Sequence, residues 1–326
     1  FLKTYYPKEF FAASMTMDLS NQNKLSEFHE ELKRINIKVV RPDINKCFAD
    51  FQFDEDNFYY ALGGIKSVGF EAISNVVKER KENGEFKSIN DFLNRVNPKD
   101  INKLQLEGLV KAGAFDNMDK NRQALFNSIP NFILKTKNIF ENKVANQIDL
   151  FVSDEEQDNE IVLNIEDWKF EDRLSREFEA IGFFISDHPL NQFKEIFDDY
   201  KIVDYVKFNL DDEIKEANIA ATLLKITERK TARGNSYGVI KFTDLTSVFE
   251  LFVFSDILEM NRDVLIEGSS LIITLIKTIS NDENKSKRIN VQKIASLKDL
   301  FNKPVSEIVF NINSILLCQI SNMTKT

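Results

Sequence analysis

The hydrophobic period of this chain switches part-way along, and that switch constrains the fold more than any single motif does. Up to about residue 210 the apolar residues recur mostly at helical intervals, as Leu25, Phe28 and Leu32 do in "NQNKLSEFHEELKRIN". From Ala217 to Leu297 the period becomes that of strands, in five runs: "NIAATLLKITERK", "SYGVIKFTDL", "VFELFVFS", "SSLIITLIKTIS" and "RINVQKIASL". One helical run, "DILEMNRDVL", falls between the third and the fourth. Helices followed by a block of strands predict a multidomain α+β protein. Five strands with a helix after the third is the layout of an OB-type five-stranded β-barrel.

Within the helical part, "PKEFFAASMTM" begins with Pro7 at a plausible first-turn position. The short strand "IKVVRPD" ends at Pro42, and "ADFQFDEDNFYYAL" predicts a hairpin around Asp54–Asn57. Helices are then expected over 69–82, 88–95, 99–111 and 121–137. An acidic linker, "VSDEEQDNE", precedes an amphipathic helix in "WKFEDRLSREFEAIGFF", a stop at "SDHP" and a further helix.

Composition excludes several classes. There is no apolar run of about 18 residues to span a membrane. The opening "FLKTYYPKEF" has neither the basic nor the apolar region of a signal peptide, and it lacks an initiator Met, which predicts a piece of a longer chain. Cys47 and Cys318 stand far apart and belong to no ligand-spaced group, which suits a reducing cytoplasm. With His29 and His188 as the chain's two histidines, His-based metal or triad chemistry has little to build on. His188, followed by Pro189, reads as a turn residue. The net charge of −9 is local: residues 141–220 carry 22 acidic and 8 basic side chains, a net of −14, so the remainder sums to +5. Basic flanks leave room for a nucleic-acid partner.

Three features invite a binding role. The first is a pair of glycine-flanked turns about 45 residues apart, "GGIKSVGF" and "KAGAF", each placed before a helix. In a helix-hairpin-helix element such a turn exposes backbone N–H groups at a helix N-terminus, where a phosphate oxygen is received. Here Val68 and Gly69 would supply amides, Ser67 lies in the turn and Lys66 adds charge, with a weaker second copy at Ala112 and Gly113. The plain alternative is two structural turns. The second feature is the basic hairpin "ERKTARGNSYG": Arg229, Lys230 and Arg233 would reach phosphates, and Tyr237, Lys241 and Phe252 form a candidate contact face for single-stranded DNA. A solvated hairpin is the competing reading. The third is "QIDLF", residues 147–151, at the edge of the acidic linker, which either packs back on its own domain or is held by another protein. The carboxylate pairs, Asp198-Asp199 and Asp211-Asp212 among them, are sequence neighbours without a flanking apolar strand to hold them around a metal ion, and read as solvated.

In this order, "FLKTYYPKEFFAASMT", "VVRPDIN", "YYALGGIKSVG", "LEGLVKAGAFD", "FEAIGFFISDHPL" and "IKFTDLTSVFELFVFSD" resemble successive signatures of the C-terminal part of the bacterial replicative DNA polymerase III alpha-subunit family, the C-family polymerases. The resemblance implies a division into 1–56, the helical end of a fingers domain; 57–145, a tandem helix-hairpin-helix domain on duplex DNA; 146–165, a clamp-binding motif and acidic linker; 166–212, a helical connector; 213–298, an OB domain near single-stranded template; and 299–326, the start of a truncated C-terminal region. It also implies that Gln147, Leu150 and Phe151 match the family's Gln-x-x-(Leu/Met)-Phe motif for the sliding clamp. DNA, the clamp and other holoenzyme subunits are then the expected partners. The family's catalytic carboxylates, with their Mg²⁺, lie in a palm domain N-terminal to everything here. No catalytic residue, metal site or cofactor is therefore expected in this chain, although its parent would be a DNA-directed DNA polymerase. Ser67 stands where the family usually has Gly. The alternative is a stand-alone helix-hairpin-helix plus OB adaptor.

Overall fold

Two units make up the computed structural model, Phe1–Asn191 and Gln192–Thr326, and it describes residues 1–144, 162–230, 236–279 and 287–302. The first unit opens with α1 (Leu2–Tyr5), α2 (Pro7–Met17) and α3 (Gln22–Arg34). Pro7 sits in the first turn of α2, where its missing N–H costs nothing. Asn21 starts α3 by accepting the Lys24 N–H on its side chain, and Lys33 and Arg34 close it, each end matched to the helix dipole or its free amides.

A small sheet follows, made of β1 (Val39–Val40), β2 (Gln52–Phe53) and β3 (Phe58–Tyr59) in the order β1-β3-β2. β2 and β3 are the expected hairpin, and β1 joins β3 in parallel. The Asp54 carboxylate accepts the N–H groups of Asp56 and Asn57 and so fixes the connecting turn. Beyond a 3₁₀ turn at Leu62–Gly64 come α4 (Phe70–Asn83), α5 (Ile89–Arg95), α6 (Lys103–Lys111), α7 (Arg122–Val144) and α8 (Phe170–Ile181). α4 ends at Gly84, whose φ of +86° suits glycine. α6 begins four residues later than the periodicity predicts, because Asn102 and Gln105 form a reciprocal capping box there. One core joins these elements, from Phe11 on α2 through Tyr60, Phe92 and Leu109 to Ile181 and Phe183 at the end of α8. The further helix expected at "SDHP" is a 3₁₀ helix, Pro189–Ile196.

The second unit carries α9 (Tyr205–Leu210) and the five strands β4 (Glu216–Lys230), β5 (Ser236–Thr243), β6 (Val248–Phe254), β7 (Ser270–Ile279) and β8 (Lys287–Ser296). α10 (Ser255–Met260) follows the third of these strands and α11 (Leu297–Phe301) the last. The sheet is antiparallel throughout, in the order β6-β5-β4-β7-β8. β4 is long enough to serve two neighbours: its first half pairs with β7, its second with β5, with an irregularity between Leu223 and Lys225. The closed barrel expected from the strand layout is not what forms. No hydrogen-bonded ladder joins β6 to β8 among the described residues, although their Cα atoms come within 8 Å. α10 packs against both of those edge strands and buries Leu258, so a helix closes the core on that side. Ile219, Leu223, Phe242, Leu251 and Ile273 fill this second core.

Candidate nucleic-acid interface

The first glycine-flanked turn ends at Gly69, the N-cap of α4. Gly69 has extended backbone (φ −72°, ψ 131°) and offers no side-chain cap. The N–H groups of Phe70, Glu71 and Ala72 therefore have no partner among the described residues, and they lie at the positive end of a helix dipole. Ser67 occupies the left-handed region at φ 68° with an exposed side chain. The Lys66 side chain is exposed too and forms no ion pair among the described residues. Its N–H is fixed to Ala180 O at 2.8 Å, which ties the turn to the end of α8. Val68 differs from expectation: its N–H donates to Ile65 O at 3.1 Å and its side chain is buried. The amides left over begin at Gly69.

The second turn is of another kind. Gly113 (φ +78°) donates to Val110 O and Ala114 to Leu109 O, the bond pair of a Schellman cap on α6. Ala112 donates to Gly108 O. Ala112 and Gly113 are both buried, and a Cβ on Gly113 would lie 2.1 Å from the Arg122 guanidinium. That guanidinium pairs with Asp116 at 2.8 and 2.6 Å and with Glu177 at 3.3 Å, and it donates to Lys111 O. The Ala112, Gly113 and Ala114 amides are thus spent internally rather than offered to a phosphate.

Sequence reasoning missed two neighbours of the first turn. The Phe70 ring, half exposed, lies against Gly63, where a Cβ would come within 3.1 Å of it. The α6 N-terminus also reaches the turn, with Gln105 Nε2 3.3 Å from where a Gly69 Cβ would be. The capping box "NKLQ" was the legible signal for that helix start.

In the second unit, strand register sorts the predicted residues. Arg229 is paired with Tyr237, Lys225 with Lys241, Val239 with Phe252 and Tyr237 with Phe254. Directly paired residues share a face, so Arg229, Tyr237, Lys241 and Phe252 lie on one side of the sheet. Lys225 and Phe254 join them there, unannounced by the sequence reading. The Tyr237 and Phe252 rings are 6.3 Å apart, and Phe252 and Phe254 are about half exposed. Glu250, paired with Lys241, places one carboxylate on the same face. Lys230 is the strand neighbour of Arg229 and so points to the opposite side. Arg233, and likewise Gln147, Leu150 and Phe151, lie outside the described residues. His188 Nδ1 accepts the Leu190 N–H at 3.2 Å, the role of a turn residue. Among the described residues no group of three or more His, Cys, Asp or Glu is placed to hold a metal ion, and no helix is long and apolar enough to cross a membrane.

Residues 36–125 match the model of a family described as the helix-hairpin-helix motif, a span containing both turns. Relatives named DNA polymerase III subunit alpha align with most of the chain. That of Borreliella burgdorferi is 30% identical over 308 residues, covering 91% of this chain and 27% of its own length. Those of Caulobacter vibrioides (33% identical) and Campylobacter jejuni (35%) cover 83% and 81% of the chain and 24% and 23% of their own lengths. The chain belongs to the DNA polymerase III alpha-subunit family. It spans about a quarter of the length of these alpha subunits. Within this alpha-subunit segment, the helix-hairpin-helix match runs from just before β1 into the first residues of α7.

Proposed function

We propose that this chain is the non-catalytic C-terminal part of a cytoplasmic replicative DNA polymerase III alpha subunit, which holds DNA behind the polymerising domains and ties them to the sliding clamp. The observation that carries the reading is the kinship with alpha subunits along 81–91% of the chain. The geometry of the first turn supports the duplex-holding role: free amides from Gly69 onward and the Lys66 charge receive a backbone phosphate. At the second turn, the Schellman cap leaves Ala112 and Gly113 a supporting role beneath that contact. Residues 1–56 are the end of the fingers domain in this reading. The second unit is an OB-type domain whose cation-and-aromatic face, Arg229, Lys241, Tyr237 and Phe252, meets single-stranded template. Mg²⁺ and the polymerising carboxylates belong to a palm domain elsewhere in the whole protein.

Gln147, Leu150 and Phe151 are the clamp tether: two apolar anchors for a cleft and an amide for its rim. Tethering separates this reading from a self-contained DNA-binding adaptor, which has no use for a clamp. Purified clamp immobilised on a sensor surface should bind the chain with affinity in the micromolar range. A Leu150→Ala/Phe151→Ala variant should lose that binding while keeping its circular dichroism. Equal binding by the variant would sink the tethering role.

A further inference from the structure

Beside the first turn lies an open groove of ≈ 380 Å³, within the size range of sites for small ligands, lined by Phe48, Asp50, Gln52, Phe70, Lys78 and Lys81. Its two aromatic residues are held in place. Phe48 packs edge-on against Tyr59 (5.7 Å, 82°), with Lys81 Nζ 5.2 Å and Arg80 Cζ 5.4 Å from its ring. Phe70 lies half exposed over Gly63, where any larger residue would collide with Ala49 O. Phe70, Ser74, Lys78 and Lys81 share one stripe of α4, so the groove runs away from the α4 N-terminus along its lysines.

The lining is sorted by chemistry. On the α4 side, Lys78 and Lys81 favour a negatively charged backbone. From the segment before β2, Asp50 accepts a 2.6 Å hydrogen bond from Gln52 and keeps further acceptor capacity for an amino or ring N–H group. Aromatic rings, two α4 cations and a carboxylate acceptor in one groove match one flat base with its phosphate. We propose that this groove takes a single unpaired nucleotide of DNA, its base against Phe48 and Phe70 and its phosphate toward Lys78 and Lys81. The proposal rests on the reading that this unit holds duplex DNA: the occupant is a base that leaves the duplex next to the first turn.

The test uses the whole chain and two hairpin duplexes, one blunt and one bearing a single 5′-overhanging 2-aminopurine, at the same ionic strength. The overhang should bind about tenfold more tightly, the scale of one base–aromatic stack, with its fluorescence quenched. Phe70→Ala should erase the preference and the quenching; Lys78→Glu/Lys81→Glu should erase the preference and flatten its salt dependence. Blunt binding without a preference would overturn the groove and leave the duplex reading standing, and binding to neither probe would overturn both. A preference that survives Phe70→Ala but disappears in Phe252→Ala would move the nucleotide to the other unit and refute the groove.

Discussion

Ser67 holds a left-handed backbone (φ 68°) in the turn that offers free amides. For a residue with a Cβ, that conformation costs on the order of 1–2 kcal/mol, a cost glycine avoids, though glycine gives part of it back through a more flexible unfolded chain. Ser67→Gly should therefore stabilise the first unit by about 0.5–1 kcal/mol, read as a higher urea midpoint at unchanged slope. An unchanged or lower midpoint would mean that the Ser67 side chain supports the turn. His29 and Cys47 follow the same local logic without a ligand. The His29 imidazole is buried, stacks on Phe183 at 4.6 Å and is held below 6.5 by that burial. Burial likewise pushes the Cys47 thiol up to about 12, the state of an inert core residue.

At the scale of elements, Arg122 is the fastening of the second turn. It sits at the first position of α7, stacks where a Gly113 side chain would be, and reaches Asp116 on one side and Glu177 of α8 on the other. Glu177 is fully buried and also accepts the N–H groups of Ile185 and Ser186. Removing the cation strands that carboxylate, so Arg122→Ala should cost about 3–5 kcal/mol in urea unfolding of the first unit. Adding Glu177→Gln should recover part of the loss, because the stranded charge is then gone. A loss below about 1 kcal/mol would show that water reaches Glu177. In the second unit Lys277 acts similarly on a smaller scale. Its buried ammonium donates to Phe208 O at 2.5 Å and Asp211 O at 2.6 Å, binding the end of α9 to β7.

At the scale of the whole molecule, the described residues form two cores, one built from residues between Phe11 and Phe183 and one between Phe208 and Ile294. Cores that share no side chains need not melt together. Calorimetry should resolve two transitions, and Phe242→Ala, which empties a fully buried position of the second core, should lower one of them by an amount equivalent to about 3–5 kcal/mol and leave the other in place. A single transition shifted as a whole would mean that the units unfold as one.

Much of this was legible in the chain, because the signals were local. The switch of period located the five strands, Pro7 marked a helix start, and Asp54–Asn57 marked a hairpin, each through signals that act within a few residues. What "SVG" and "AGA" would become was not legible. Both read as glycine turns before a helix, but Ala112, Gly113 and Ala114 give their N–H groups to Gly108, Val110 and Leu109 O of α6, with Arg122 packed over Gly113, while the amides from Gly69 onward keep no partner among the described residues. The sheet is the same case: Arg229 and Lys230 read together as phosphate contacts, but the strand puts them on opposite sides, and the register across β4, β5 and β6 decided that Arg229 meets Tyr237 and that Phe254 joins the face. Sequence by itself determined the elements, since propensity, capping and period act over a few residues. Tertiary structure decided which of their polar groups remain free for a ligand, since a buried amide or cation takes whichever partner the fold brings to it.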